Sequence, residues 1–246
     1  MTTAIATPID MKKLMQESAA KAMEQEKPDN KFVSFKSGVL SYNGNAAKDN
    51  KIQVIVVGSA FENQFFPDRY DSNKIVSPQC WAVSHEEDTL APDQDACTKA
   101  VHTDCESCEY NAWESDLGGG KGKACKNTRR LGLMTLDQLG SATPDVVYAR
   151  LPVTSVANWS KYVTQIGNVV KRPPWGVITE MSVVPDAKSQ FKVNFQFMGL
   201  IEDEHLEGVH AIYDQVHKEI LFGYPKNVDE PAQPAAKAAG VKGKKF

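Results

Sequence analysis

The sequence predicts a mainly β, α+β fold, and three observations carry that prediction. Residues 191–197 read Phe-Lys-Val-Asn-Phe-Gln-Phe, the strict alternation of a half-buried strand. Residues 52–57 read Ile-Gln-Val-Ile-Val-Val, a β-branched run that suits a buried strand. Two later segments instead repeat their apolar residues at three- and four-residue intervals, which makes one face of a helix. With 246 residues, 41% of them hydrophobic and 24% charged, the chain can bury a full core and reads as a soluble globular protein.

In chain order, residues 1–30 form an N-terminal arm, helical or frayed, of mixed charge and stopped by Pro28-Asp29-Asn30. The ordered domain is expected over residues 31–224. Short strands are expected at 32–35 and 39–42, with turns at Ser37-Gly38 and Asn43-Gly44-Asn45. The run at 52–57 is expected to end at Gly58. Phe61, Phe65, Phe66 and Tyr70 then fall in a polar segment read as a loop, where they either plug one end of a barrel or offer a stacking surface. Another short strand is expected within 75–83. Residues 131–134 and 146–151 are strand-like. Residues 152–155 start a helix, with the Thr154 and Ser155 hydroxyls available to cap it. Its inner stripe is Val156, Trp159, Val163, Ile166 and Val170, and Pro173-Pro174 ends it. Strands follow at 175–184 and 191–197, where Phe191, Val193, Phe195 and Phe197 face inward. The last helix has Leu206, Val209, Tyr213, Val216 and Ile220 as its stripe. Residues 225–246 shift to Pro, Ala, Gly and Lys and read as a disordered tail.

Strands, a helix, two strands and a closing helix match an elaborated OB-like Greek-key barrel, in which a helix lies between the third and fourth strands. Such barrels bind oligonucleotides on one sheet face. The surplus is an insert over residues 80–130 that holds all five cysteines. Cys105 and Cys108 form a C-x-x-C knuckle, whose short loop brings two sulfurs to one ion. Thiolates suit zinc in a closed four-coordinate structural site. The distant ligands are most simply Cys80 and Cys125, which makes the insert zinc-ribbon-like with one structural Zn2+. Cys97 and His102 compete for one place, and His85 less so. Free, partly buried thiols are the plainer alternative, and a redox pair lacks the βαβ context such motifs occupy.

The insert is also basic. Lys121, Lys123, Lys126, Arg129 and Arg130 fall within ten residues, close behind Tyr110 and Trp113. Single-strand binding needs a positive path for the phosphates and aromatic faces for the bases, so these seven are the candidates, with Phe65, Phe66 and Tyr70 beside them. A solvated basic face, and a Trp113 packed on the cysteine loop, are the rival readings. The formal net charge of −3 argues against coating duplex DNA by charge alone. An enzyme is not expected. The run at 118–123 lacks the glycine that a phosphate loop needs five residues before its Gly-Lys pair, and no Ser or Thr follows either lysine. A site of four cysteines leaves no open position for catalysis.

Residues Cys105-x-x-Cys108, Asn111-x-Trp113-x-Ser115, the 120–126 segment Gly-Lys-Gly-Lys-Ala-Cys-Lys and Arg129-Arg130-Leu131 resemble a group of bacteriophage replication proteins. The downstream Leu151-Pro152-x-x-Ser155 and Trp175-Gly176-Val177-Ile178-Thr179 segments share the resemblance, which runs from about residue 32 to about residue 222. It implies coating of single-stranded DNA during replication or recombination, through an OB-like barrel with a bound zinc in some members. It also implies work in the host cell cytoplasm, in company with phage replication proteins or a polymerase. The expected reducing location favours metal over disulfides. No apolar run approaches the roughly 18 residues of a membrane span, so no membrane partner is expected. The chain departs from the pattern at its end, where Lys242-Gly243-Lys244-Lys245-Phe246 is basic while many single-strand binders carry an acidic recruiting tail. A regulator that docks on a polymerase through its zinc insert is the alternative from another class.

Overall fold

The computed structural model describes residues 11, 12, 15, 18, 32–68, 76–141 and 143–225. Residues 11, 12, 15 and 18 of the arm are helical, and the tail from residue 226 onward lies outside the described residues. The chain divides into two compact units. The first comprises Met1–Glu62, Ser84–Glu87 and Asn127–Leu221, and the second Asn63–Val83, Asp88–Lys126 and Phe222–Phe246.

The first unit is built on a mixed sheet. Its strands are β1 (Phe32–Val33), β4 (Lys51–Phe65), β6 (Lys126–Thr135), β7 (Val146–Leu151), β8 (Val177–Asp186) and β9 (Gln190–Leu200), in the order β1-β7-β6-β4-β8-β9. Neighbours along β7-β6, β4-β8 and β8-β9 are antiparallel, while β1 lies parallel to β7. A small hairpin of β2 (Ser41–Tyr42) and β3 (Asn45–Ala46) stands apart, and β5 (Cys80–Ser84) pairs with β4. Helix α1 (Val153–Val169) falls between β7 and β8, and helix α2 (Asp203–Glu219) follows β9. The predicted mainly β class with two helices is therefore what forms. Among the described residues no helix is long and apolar enough to cross a membrane.

The alternation at 191–197 produces β9, but only in part as expected. Val193 is fully buried, and Phe191 and Phe195 pack on the same core. Phe197 is instead 36% exposed. It stays in register with Val193 and Phe195, opposite the buried Thr179, and the alternation is interrupted only beyond it, where Ile178 pairs with Gly199 and Met198 is an extra residue. Helix α1 buries Trp159, Tyr162 and Ile166 in that core, with Val163 and Val170 half-buried beside them. Its predicted hydroxyl cap does not form: Pro152 is the N-cap, without a side-chain bond. Ser155 is fully buried, and its Oγ accepts from Val193 N at 2.9 Å. Asn158 Nδ2 donates to Val193 O at 3.0 Å, so α1 side chains take both outward backbone groups of Val193.

The predicted end of the 52–57 strand at Gly58 is corrected. Strand β4 runs on to Phe65, so Phe61 and Phe65 are strand residues and not loop residues. Gly58 is there for close approach: a Cβ on it would lie 2.6 Å from Val216 Cγ1 of α2, and a Cβ on Gly132 of β6 would meet the same atom at 2.6 Å. The polar residues of the second half of β4 are buried because they are paired. Glu62, wholly inaccessible, receives the Arg130 guanidinium and, at 2.8 Å, Arg150 Nε.

Candidate nucleic-acid interface and cysteine cluster

The second unit contains the knuckle. Its small core consists of Phe65, Cys80, Cys97, Ala124 and Cys125, with Trp81, Ala100, Val101 and Tyr110 packed against it. Backbone bonds pin the loops: Cys125 N donates to Tyr110 O at 2.8 Å, and Cys105 N donates to Leu90 O at 3.0 Å. Asn111 Nδ2 donates to Cys105 O at 2.6 Å, so the asparagine of the motif braces the knuckle. Cys80, Cys105, Cys108 and Cys125, the four predicted ligands, line one cavity of about 20 Å³, together with His102 and Asp104. Cys97 turns its Sγ to the Trp81 backbone, donating to O and accepting from N, each at 3.3 Å.

Burial pushes the Cys80 thiol up to about 11 and the Cys125 thiol up to about 12, and neighbouring cysteines add to both shifts. Burial likewise raises Cys105, against a hydrogen bond from Asn63. The raised thiols of Cys80, Cys105 and Cys125 are what a divalent cation would reverse, because a coordinating thiol is deprotonated. The donor set therefore fits zinc by chemistry and burial. It is not drawn tight: no three of these sulfurs lie within 4.8 Å of one another. Among the described residues, the set of metal-capable groups that does is Glu202, Glu204 and His205 at the surface around the start of α2.

The basic run does not form one continuous face. Residues 114–122 make a tight glycine loop, closed by Glu114 N to Lys121 O at 3.4 Å and Asp116 N to Gly122 O at 3.2 Å. Gly119 has φ +79°, which favours glycine, and a Cβ on Gly120 would lie 2.5 Å from Asp116 Oδ2. At the base of this loop Trp113 is 75% exposed, with Lys123 Nζ 5.6 Å from its ring centroid. Trp113 thus stands in solvent and does not pack on the cysteine loop. Lys123 also donates to Asn111 Oδ1 at 3.2 Å, which holds it in place. Lys121 and Lys126 are exposed.

Two of the predicted contacts are corrected. Arg130 is 0% exposed, bound to Glu62 and, at 2.8 Å, to Ile220 O, so it cannot meet a phosphate. Phe65 is 4% exposed, its ring centroid 4.3 Å from that of Tyr110, and it is a core residue. Tyr110 is half-buried on it, and Phe66 is half-exposed. Tyr70 lies outside the described residues.

Arg129 belongs to the first unit. Strand geometry separates it from its neighbour: successive side chains of β6 point to opposite faces, so Arg130 goes to Glu62 and Arg129 to the other side. There its guanidinium carbon lies 3.3 Å from the centroid of the Phe61 ring. The pair opens on a cleft of about 420 Å³ that Trp159, Trp175 and Tyr213 also line. Trp175 and Tyr213 have ring centroids 5.8 Å apart. The sequence marks Trp175 as a strand residue, but it lies in the short turn Pro174–Gly176 before β8, and nothing local marks it and Tyr213, 38 positions apart, as neighbours. No protein-family model, curated protein or solved structure matches this chain.

Proposed function

We propose that this chain binds single-stranded DNA without reading its sequence, as a zinc-stabilised, OB-like protein of phage replication or recombination. The observation that carries the reading is the pairing of Trp113 and Lys123 at the base of the glycine loop. A large aromatic face is held in solvent beside an ammonium, and its outer side is open to a base while Lys121 and Lys123 are placed for phosphates. An exposed tryptophan contributes nothing to a core, so its value lies in what it meets.

Strand order lends support. With β4, β6, β7, β8 and β9 as strands one to five, the order three-two-one-four-five with a helix between three and four is that of an OB barrel. One edge of this set is taken by β1, and the outward groups of Val193 on the other by α1. Zinc at Cys80, Cys105, Cys108 and Cys125 would hold the loops from which Trp113 and Lys123 project. Its role there is structural, since folding the loops and binding the ion are one event.

The test is anisotropy of a fluorescein-labelled oligothymidylate titrated with the full chain at several salt concentrations. Binding should weaken with salt by about 0.7 in log affinity per unit log salt for each phosphate contact. Trp113→Ala should weaken binding by about 1–3 kcal/mol and leave that slope unchanged, because stacking releases no counterions. Absence of binding by the parent protein at low salt would overturn the reading and leave docking on a polymerase as the function to pursue.

A further inference from the structure

We propose that the cleft of the first unit is a second binding element, which takes one base of a single DNA strand onto the Phe61–Arg129 stack. The proposal rests on the single-strand reading above, but on residues of the first unit and not on the glycine loop.

The argument starts from the two arginines. Arg130 and Arg150 both have the Glu62 carboxylate. Arg129 is half-buried, yet among the described residues no carboxylate lies within the 4.0 Å of an ion pair. It donates to Thr128 O at 3.2 Å. Burial lowers its pKa, while the charge of Glu87 acts in the opposite sense. A cation that is partly desolvated and not neutralised is a standing energetic cost, which an anionic ligand removes.

The surroundings define the ligand. The guanidinium lies over the Phe61 ring and also lines the cleft, so a planar group entering the cleft would meet it as a platform. Aromatic side chains, Trp175 and Tyr213, stand across the same space. A planar, π-rich group would lie on Arg129 with aromatic edges or faces beside it, and the free N–H edge would meet an attached phosphate. A nucleotide combines these two features. The volume of about 420 Å³ accommodates one, and the cleft is open, so the strand can enter and leave while one base is seated.

The experiment is photocrosslinking with an oligothymidylate carrying one 5-iodouracil, followed by peptide mapping, alongside anisotropy of the variants. Crosslinks to Trp175 or Tyr213 are expected. Arg129→Lys keeps the charge and loses the platform, and should weaken binding roughly tenfold with the salt slope unchanged. Arg129→Gln should weaken it further and flatten the slope by about 0.7. Circular dichroism and unchanged crosslinking at Trp113 establish that each variant is folded. Crosslinks confined to Trp113, with both Arg129 variants binding like the parent, would overturn the cleft and leave the single-strand reading standing. Absence of any oligonucleotide binding by the parent would overturn both. Saturation of the cleft by thymidine monophosphate as tight as by the oligonucleotide would overturn the strand assignment in favour of a free nucleotide.

Discussion

The two units are held together by different means. The sheet unit has a continuous apolar core, in which Val54, Val56, Leu131, Leu133, Leu151 and Met181 are packed with α1. Among the described residues of the cysteine unit, the core cluster is Phe65, Cys80, Cys97, Ala124 and Cys125, three of them cysteines, and hydrogen bonds between loops do much of the rest. Core burial yields stability from every methylene removed from water, at about 25 cal/mol per Å². A loop-rich unit with so small a core cannot draw on that source, and a crosslink or an ion is the usual substitute. The comparison teaches where each unit is vulnerable: one to the loss of volume or charge pairing, the other, on the zinc reading proposed above, to the loss of its ion.

The largest expected effect lies in the second unit. Cys108→Ser should abolish zinc retention and release amide exchange protection throughout residues 97–125, while β8 and β9 stay protected. Apparent binding energies of structural zinc run to about 10–16 kcal/mol, so if the proposed site holds the ion, its loss is a loss of fold. Elemental analysis and hydrogen exchange read this directly, and stoichiometric zinc in both Cys105→Ser and Cys108→Ser would refute the ligand set. Because the thiols of Cys80 and Cys125 sit well above the ordinary 9.0, zinc uptake should release protons and apparent affinity should fall as pH falls.

Next comes the buried charge of the sheet unit. Glu62→Gln leaves Arg130 buried without its carboxylate and should destabilise by about 3–5 kcal/mol in urea unfolding. A loss below about 1 kcal/mol would mean that water reaches Arg130. Gly132→Ala should cost about 1–3 kcal/mol, since the new Cβ meets the stiff, buried Val216 at 2.6 Å. Val216→Ala in the same chain should recover part of that loss, and no recovery would place the strain elsewhere.

The smallest effects sharpen the boundary of each claim. Cys97→Ser should leave zinc content unchanged, since its sulfur is engaged by the Trp81 backbone. Zinc lost there and kept in Cys80→Ser would reverse that assignment. In the sheet unit, His217 stacks on His85 at 3.6 Å, and burial first, then the charge of His85, holds its pKa below the ordinary 6.5. The unfolded chain therefore takes up the proton first. The contribution is complete above about pH 6.5 and declines as pH falls toward the lowered value. Thermal melts between pH 7.5 and 5.5 should show a decline that His217→Asn reduces.

Much of the scaffold was legible because periodicity is a local signal. Strand 191–197 and both helix stripes follow from side-chain spacing alone, and spacing places Phe197 on the face of Phe195 but does not show how little covers it there. The hydroxyl of Ser155 was misjudged for a similar reason, since a cap and a bond to Val193, 38 residues on, look alike in sequence. The cysteine knuckle was legible from spacing, whereas Trp113 was legible as a candidate but not as exposed, since packing on the cysteine loop reads the same in sequence. The Arg129–Arg130 pair was legible as charge and illegible as role. Only pairing along β6 shows which arginine faces Glu62, a partner 68 residues away.

The engagement of Val193 by α1 has a consequence for behaviour at high concentration. Strand β9 lies at one end of the sheet path, where bare N–H and C=O groups would template another chain. Ser155 and Asn158 occupy both outward groups of its buried midpoint, so a second molecule meets side chains there and no continuous ladder. On the single-strand reading proposed above, many copies would lie close together on one strand, and sheet-to-sheet association would then compete with ligand binding. Two small polar residues on one helix thus favour crowding on a strand without fibre formation.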